Sequence, residues 1–300
     1  MNEAAFLARL RALPLHPGAR GLADDAATLG PFVVTTDTLV EGVHFLSGDP
    51  PADVAWKLVA TNLSDLAAKG ARVEGVLLNL PLSDAAWDAA FLDGMAAVLA
   101  GLDCPLIGGD TVSLPAGAPR VLTCTAIGAE APAPARSGAR AGDALFVTGT
   151  IGDAGAGLAL LQEGKDDAAL VAAYRRPQPR LAEGRVLAPL VHAMMDVSDG
   201  LLIDAARMAA ASGLAVEIAL DAVPLSDAFV RARGGTRAAR LFAAGAGDDY
   251  QLLFAAAPDR TPPAAATAVG RFASGAGLRL TYEGQSLTLP ARLGFEHGLR

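Results

Sequence analysis

Cysteine is nearly missing from this chain. Cys104 and Cys124 are its thiols, and two cysteines so spaced provide neither a disulfide framework nor a zinc site. Both lie in apolar surroundings, so the expectation is a pair of buried, reduced thiols. Lysine is scarce as well: Lys57, Lys69 and Lys165 are followed by Leu, Gly and Asp. None can be the lysine of a G-x-x-x-x-G-K-[ST] loop, which excludes a P-loop as the way the chain would hold a nucleotide. Apart from a compact basic loop, Arg175-Arg176-Pro177-Gln178-Pro179-Arg180, no Lys/Arg cluster stands out and the net charge is −8, which argues against nucleic acid as a partner. A phosphorylated substrate stays open, because a bound cation reverses the local sign. No apolar run reaches the roughly 18 residues of a membrane span. The opening Met1-Asn2-Glu3-Ala4 has an early acid and no basic stretch, so no signal peptide is expected and the cytoplasm is the expected location.

What is present is apolar material for a large core: 52% of 300 residues. That length suggests two domains by the soft prior of about 150 residues each. Periodicity predicts a helix over 3–13, a strand at 32–34 running into Thr35-Thr36-Asp37, and a helix from about Asp53 to Lys69 stopped by Gly70. A strand over 73–80, a helix from Ser83 or Asp84 to about 100, a buried strand at 104–107 and another over 121–127 follow. The first half thus reads β-α-β-α-β-β, an α/β domain. The stretch 129–142 is rich in Pro, Gly and Ala and is the linker candidate. It divides the chain into 1–137 and 138–300. The second half is also α/β, with strands at 144–148, 194–196, 215–220 and 251–256 and helices at 181–191, 201–211 and near 226–244. Gly149-Thr150-Ile151-Gly152-Asp153-Ala154-Gly155-Ala156-Gly157 does not fit G-x-G-x-x-G, so tight strand-to-helix packing accounts for its glycines better than a dinucleotide loop.

The acids carry the chemistry. A strand that breaks into Thr35-Thr36-Asp37 offers oxygen ligands, which suit a hard cation such as Mg²⁺. Asn62 and Asp65 share one face of an Ala/Leu helix, where Asn, Ser and Asp are poor local choices. A polar outer face is the plain explanation; a site is the better one, since local rule-breaking marks sites. Gly108-Gly109 at a strand end would let a ligand approach the backbone, with Asp110 aimed at it. Asp196 and Asp199 straddle a helix N-terminus, where capping explains one aspartate and not both. Asp25, Asp37, Asp65, Asp110, Asp196 and Asp199 would repel one another if they converged unaided. Around several Mg²⁺ ions they could clamp a polyphosphate, so metal-assisted phosphoryl transfer is the expectation.

The ordered motifs Gly21-x-x-Asp24-Asp25-Ala26, Thr35-Thr36-Asp37-Thr38-Leu39, Gly42-x-His44-Phe45, Asn62-Leu63-Ser64-Asp65-Leu66-Ala67-Ala68, Gly108-Gly109-Asp110-Thr111, Arg136-Ser137-Gly138-Ala139, Val147-Thr148-Gly149 and Asp196-x-Ser198-Asp199-Gly200-Leu201 span nearly the whole chain. Together the sequence resembles the thiamine-monophosphate kinase family, within the superfamily of aminoimidazole ribonucleotide synthetase and selenophosphate synthetase. The resemblance implies ATP-dependent phosphorylation of thiamine monophosphate to thiamine diphosphate. It also implies a homodimer whose N-terminal sheets pair, with ATP in the groove beside that interface. By motif position, Asp25, Thr35, Thr36, Asp37, Asp65, Asp110, Asp196 and Asp199 match Mg²⁺ ligands, with Asp37, Asp65, Asp110 and Asp199 the expected catalytic acids. Gly109, Asp110, Arg136 and Ser198 match ATP contacts, and His44, Asp248 and Phe295 match thiamine-phosphate contacts.

Departures fall mainly on the substrate side. Gly21-Leu22-Ala23-Asp24-Asp25 lacks one glycine of the pattern, and Ala246-Gly247-Asp248-Asp249-Tyr250-Gln251 carries a shorter acid where the family has glutamate. Gly101-Leu102 replaces a stretch often aromatic in relatives. A relative acting on another phosphorylated molecule and a non-catalytic Mg²⁺-nucleotide binder are the alternatives. A selenophosphate synthetase would want a cysteine in an N-terminal glycine-rich loop, and neither cysteine is there.

Overall fold

The computed structural model describes residues 3–297. After a short helix α1 (Glu3–Leu10), the first half forms β1 (Ala27–Leu29), β2 (Phe32–Val40), α2 (Pro51–Ala68), β3 (Arg72–Leu82), α3 (Ala85–Gly101), β4 (Leu106–Ser113) and β5 (Val121–Ala129). The expected β-α-β-α-β-β order is present, with the hairpin strand β1 added ahead of it. The strands form one sheet in the order β1-β2-β5-β3-β4, in which β3 and β4 run parallel and the other pairs antiparallel.

The second half forms β6 (Ala144–Thr148), α4 (Asp153–Gln162), α5 (Ala168–Arg175), α6 (Leu181–Leu187), β7 (Ala193–Asp196), α7 (Leu201–Ala211), β8 (Ala215–Ala219), α8 (Asp227–Arg233), α9 (Arg237–Ala246), β9 (Leu252–Ala256), β10 (Ala266–Ala273), β11 (Gly277–Tyr282) and β12 (Gln285–Leu287). Its sheet runs β12-β11-β8-β10-β6-β9-β7, and β8–β11 is its parallel pair. A sheet so largely antiparallel is not the doubly wound parallel sheet of a dinucleotide fold. The glycines of α4 do mark tight packing, but of helix on helix rather than strand on helix: a Cβ on Gly157 of α4 would meet the Leu170 carbonyl oxygen of α5 at 2.0 Å.

Helix α2 joins the two sheets. Its Leu58, Val59, Leu63 and Leu66 pack with Val33, Leu39 and Leu122 of the first sheet. Its last turn, Ala67 and Ala68, packs with Phe146, Leu187 and Phe254 of the second half. Each fully buried leucine contributes about 2 kcal/mol of transfer free energy, so α2 is held from both sides. Its polar residues are therefore interior rather than an outer face: Thr61 is 3% exposed, Asn62 and Ser64 0%. The helix begins at Pro51 and is not capped by Asp53. Asp53 lies in its first turn and pairs with Arg176. Trp56 Nε1 donates to the Pro177 carbonyl at 2.8 Å, so the basic loop after α5 is docked on the start of α2.

Two strand expectations are corrected. β2 continues past Asp37 to Val40. β4 is neither buried nor finished at Ile107: it runs through Gly108-Gly109-Asp110-Thr111 to Ser113 as an exposed edge strand, with Leu106, Ile107 and Val112 each more than half exposed. Gly109 is set by packing inside the sheet, since a Cβ there would sit 1.9 Å from the Leu78 carbonyl oxygen. Cys104 and Cys124 are buried and free, as their surroundings imply. The helix expected over 181–191 ends at Leu187.

Candidate active site

Alternation along β2 decides which of its oxygens face α2. Thr35 and Asp37 lie on the covered side with Val33 and Leu39, while Thr36 points to the open face. There Thr36 Oγ1 donates to the Cys124 carbonyl and pairs with Thr125. The expectation that Thr35, Thr36 and Asp37 present three side-chain oxygens together is thus corrected, because neighbours in a strand face opposite ways. Thr35 Oγ1 donates to Asp65 at 2.5 Å. Asn62, one turn of α2 earlier, accepts the Asp37 backbone N–H at 3.0 Å. Ser64 donates to Asp196 at 2.6 Å.

These contacts draw together carboxylates from distant parts of the chain. Ligand oxygens of Asp25, Asp65 and Asp196 all lie within 4.8 Å of one another. Burial, with the charges of Asp37, Asp196 and Asp25 added, pushes the Asp65 carboxyl well above its usual range. Burial and then Asp25 do the same to Asp196. Asp37 is pushed up to about 6 by burial and by Asp199 and Asp25. Among the described residues no cationic side chain pairs with Asp37, Asp65 or Asp196. An oxygen-only donor set with excess negative charge fits a hard divalent cation such as Mg²⁺.

Asp25 differs. Burial pushes its carboxyl up, but Lys69 and Arg136 outweigh that and hold it below the usual value. Lys69 lies 2.5 Å from Asp24 and 2.6 Å from Asp25, and Arg136 also binds Asp25. The Nε of Arg136 is buried and has no hydrogen-bond partner among the described residues, a donor left over for a ligand. At the start of α7, neither Asp196 nor Asp199 caps the helix. Asp204, inside its first turn, accepts the Asp199 and Gly200 N–H groups. Arg207 pairs with both Asp199 and Asp204. Burial, then the Asp199 charge, raises Asp204 to about 7.

Beside the acids is a second cluster. Asp248 sits at φ 62 in the loop after α9, a strained position for a non-glycine residue, as does Tyr250 at φ 49. Lys57 of α2 is 2.7 Å from Asp248 and donates to the His44 carbonyl at 3.1 Å. Its ammonium lies 4.0 Å from the Tyr174 ring centroid. Tyr250 donates to Asp248 at 3.0 Å. The His44 and His297 rings are 5.4 Å apart, and Phe295 meets His297 edge-on at 4.9 Å. Burial, then the His297 ring, lowers the His44 pKa, which keeps its imidazole neutral near pH 7. The two clusters share the segment 197–199. The Ser198 carbonyl accepts the Asp248 N–H at 2.7 Å, and the Asp199 carbonyl accepts the Phe295 N–H at 2.9 Å.

Residues 23–129 match the N-terminal domain of AIR synthase related proteins, and residues 140–281 match the C-terminal domain. The chain is 39% identical over 307 residues to the thiamine-monophosphate kinase of Caulobacter vibrioides, covering 94% of this chain and 86% of the relative. It is 41% identical over 252 residues to that of Salmonella typhimurium, covering 78% and 75%. The chain belongs to the thiamine-monophosphate kinase family. A solved member described as AaThiL complexed with AMPPCP and TMP superposes with a TM-score of 0.85 at 29% identity, covering 99% of this chain and 97% of that one.

Of the family-matched positions, the structure brings Asp25, Asp37, Asp65, Asp196 and Asp199 to one place, and His44, Asp248 and Phe295 to another beside it. Asp110 is not among them. It is exposed on β4, three strands from Asp37 in the sheet order, or about 14 Å. Its carboxylate accepts the Thr111 N–H. Gly109 stands beside it on the same edge. Reading the motifs missed Lys57, Lys69, Asp204 and Arg207. The available signal was that Lys57 and Lys69, two of so few lysines, both lie on a helix otherwise rich in Ala and Leu.

Proposed function

We propose that this chain transfers the γ-phosphoryl group of ATP to thiamine monophosphate, giving thiamine diphosphate, at the acid cluster beside α2. The observation that carries this reading is the placement of three ligand oxygens from Asp25, Asp65 and Asp196 within 4.8 Å, immediately next to the His44–Asp248–Phe295 cluster. Phosphoryl transfer needs alignment and charge neutralisation more than covalent help. Asp25, Thr35, Asp37, Asp65, Asp196 and Asp199 would hold Mg²⁺ ions, which when bound supply positive charge to the phosphate oxygens. Thr36 would contribute through its backbone only.

The chain's own groups divide the remaining work. Arg136, with its unpartnered Nε, and Ser198 are proposed to hold ATP phosphates. Asp248, tied to Lys57 and Tyr250, would take the acceptor's aminopyrimidine, while His44 and Phe295 enclose its rings. The acceptor oxygen belongs to a phosphate largely deprotonated at neutral pH, so no strong general base is required. Transfer is proposed to be direct and in line.

Gly109 and Asp110 are proposed to contact the nucleotide from an interface between two copies. The support is the exposed apolar edge strand β4 and the open sheet face bearing Leu77 and Val121. Residues 1–137 would form the nucleotide-binding and dimerisation domain, and 138–300 the domain that completes the site. Among the described residues, no helix is long and apolar enough to cross a membrane, which is consistent with a cytoplasmic enzyme. The test is ³¹P NMR of the protein with Mg·ATP and a panel of phosphorylated acceptors. Thiamine diphosphate formed together with ADP supports the reading. Turnover of another acceptor in its place would move the chain to a different substrate, and ATP left intact would remove catalysis.

A further inference from the structure

Lys69 is 0% exposed, among the largest fully buried side chains of the molecule. Its ammonium is surrounded by oxygen: Asp24 at 2.5 Å, Asp25 at 2.6 Å, the Pro134 carbonyl at 3.2 Å and the Met194 carbonyl at 3.2 Å. An ammonium has three protons to give, so these four oxygens surround it as they would a spherical ion. The cage draws on the loop before β1, the segment after β5 and strand β7. The side chain enters from the C-terminal end of α2, the end that favours positive charge. The side chains of Asp24 and Asp25 are 3% and 2% exposed, so no solvent ion reaches this place while Lys69 fills it.

We propose that the Lys69 ammonium is a tethered monovalent cation: it occupies an oxygen cage that would otherwise need a dissociable ion, and it fixes Asp25 toward Asp65 and Asp196. This deepens the reading of the acid cluster as a divalent-cation site and rests on it for the role of Asp25. A soluble ion would have to be recruited from solvent and would leave when the cluster opened. A lysine on a helix packed between two sheets stays in place and adds one permanent positive charge to a group of buried acids. A plain structural salt bridge would also lower stability when broken, but it would be indifferent to which monovalent cation is dissolved around it. The tethered ion predicts selectivity, because the cage left behind admits a small bare ion and rejects a bulky one.

The experiment uses the full chain and Lys69→Met, which retains the apolar stem and removes the ammonium. Melting temperature and Mn²⁺ affinity by electron paramagnetic resonance are measured in potassium, ammonium or tetramethylammonium chloride at equal ionic strength. The wild-type chain should be indifferent to the salt. The variant should melt lower and bind Mn²⁺ about tenfold more weakly in tetramethylammonium, and potassium or ammonium should restore both saturably. A folded variant with the same melting temperature and Mn²⁺ affinity in all three salts would overturn the proposal. If Lys69→Met does not fold, Lys69→Gln is read by the same criteria. Failure of the wild-type chain to bind Mn²⁺ would instead remove the divalent-site reading, while the response of the melting temperature would still decide the tethered ion.

Discussion

Ser64 on α2 donates a 2.6 Å hydrogen bond to Asp196 at the end of β7, so one buried hydroxyl joins the helix of the first sheet to a carboxylate of the second. Ser64→Ala would leave that carboxylate without its donor. Losing a buried partner costs about 1–3 kcal/mol, and the hydrogen bond opposes the burial that raises Asp196. The variant is expected to melt lower and to need more Mg²⁺ for half-maximal turnover, with kcat/KM down about tenfold. An unchanged Mg²⁺ requirement would contradict the role given to this contact.

Proton and cation compete for the same oxygens. The Asp37 carboxyl moves from 3.8 to about 6 on folding, through burial and then Asp199 and Asp25. A raised folded pKa means that the cation-free fold holds the proton more tightly than the unfolded chain. The contribution of Asp37 to stability is therefore greatest below 3.8 and is lost as pH rises to about 6. Asp65 and Asp196 shift in the same direction. A divalent cation binds the deprotonated form, so its stabilising effect has the opposite slope. The rise in melting temperature on adding Mg²⁺ should be small below about pH 5 and large above about pH 7. Equal shifts at both ends would remove the competition.

Phe295 lies in the polar tail, edge-on to His297 and tied by its backbone to Asp199. Phe295→Ala should raise KM for thiamine monophosphate about tenfold, the scale of one lost aromatic contact, and leave KM for ATP unchanged. Steady-state kinetics with each substrate varied in turn decides it; a change confined to ATP would place the ring on the nucleotide.

No phosphoenzyme is expected. A covalent route needs an activated nucleophile, and the candidates are spoken for. Cys104 and Cys124 are buried, and burial pushes Cys104 up to about 11, far from a thiolate at neutral pH. His44 donates nothing to a nucleophile: its Nδ1 accepts the Val40 N–H. Incubation with labelled ATP and no acceptor, followed by denaturing separation, should leave the protein unlabelled. A stoichiometric label that chases into thiamine diphosphate would replace the direct mechanism.

Much of this arrangement was legible residue by residue. The β-prone run before Thr35 gave a strand, and polar residues misplaced in an apolar helix marked α2 as a site. What could not be read was direction. Whether Thr35 or Thr36 faces the acids depends on which side of β2 another element covers, and that is settled by tertiary packing rather than by the Thr-Thr pair. Asp110 looked like Asp37 in sequence, yet the sheet order inserts β5 and β3 between their strands. The cap of α7 comes from Asp204 inside the helix, where a cap is not sought. In sequence Lys69 marked only the end of a helix before Gly70, because burial of a charge shows only when its partners, remote in sequence, are in place.

Asp65 tests the whole account most directly, since from α2 its carboxylate lies within 4.8 Å of those of Asp25 and Asp196 and feels the charge of Asp37. Asp65→Asn keeps the shape and the hydrogen bond partner of Thr35 while removing one buried charge. The decisive measurement is turnover of thiamine monophosphate at saturating Mg²⁺, with cation-free melting as the control for folding. The account predicts a loss of at least about 100-fold in a protein that melts no lower than the parent, because a repelling charge has gone. Near-normal turnover in the folded variant would contradict it.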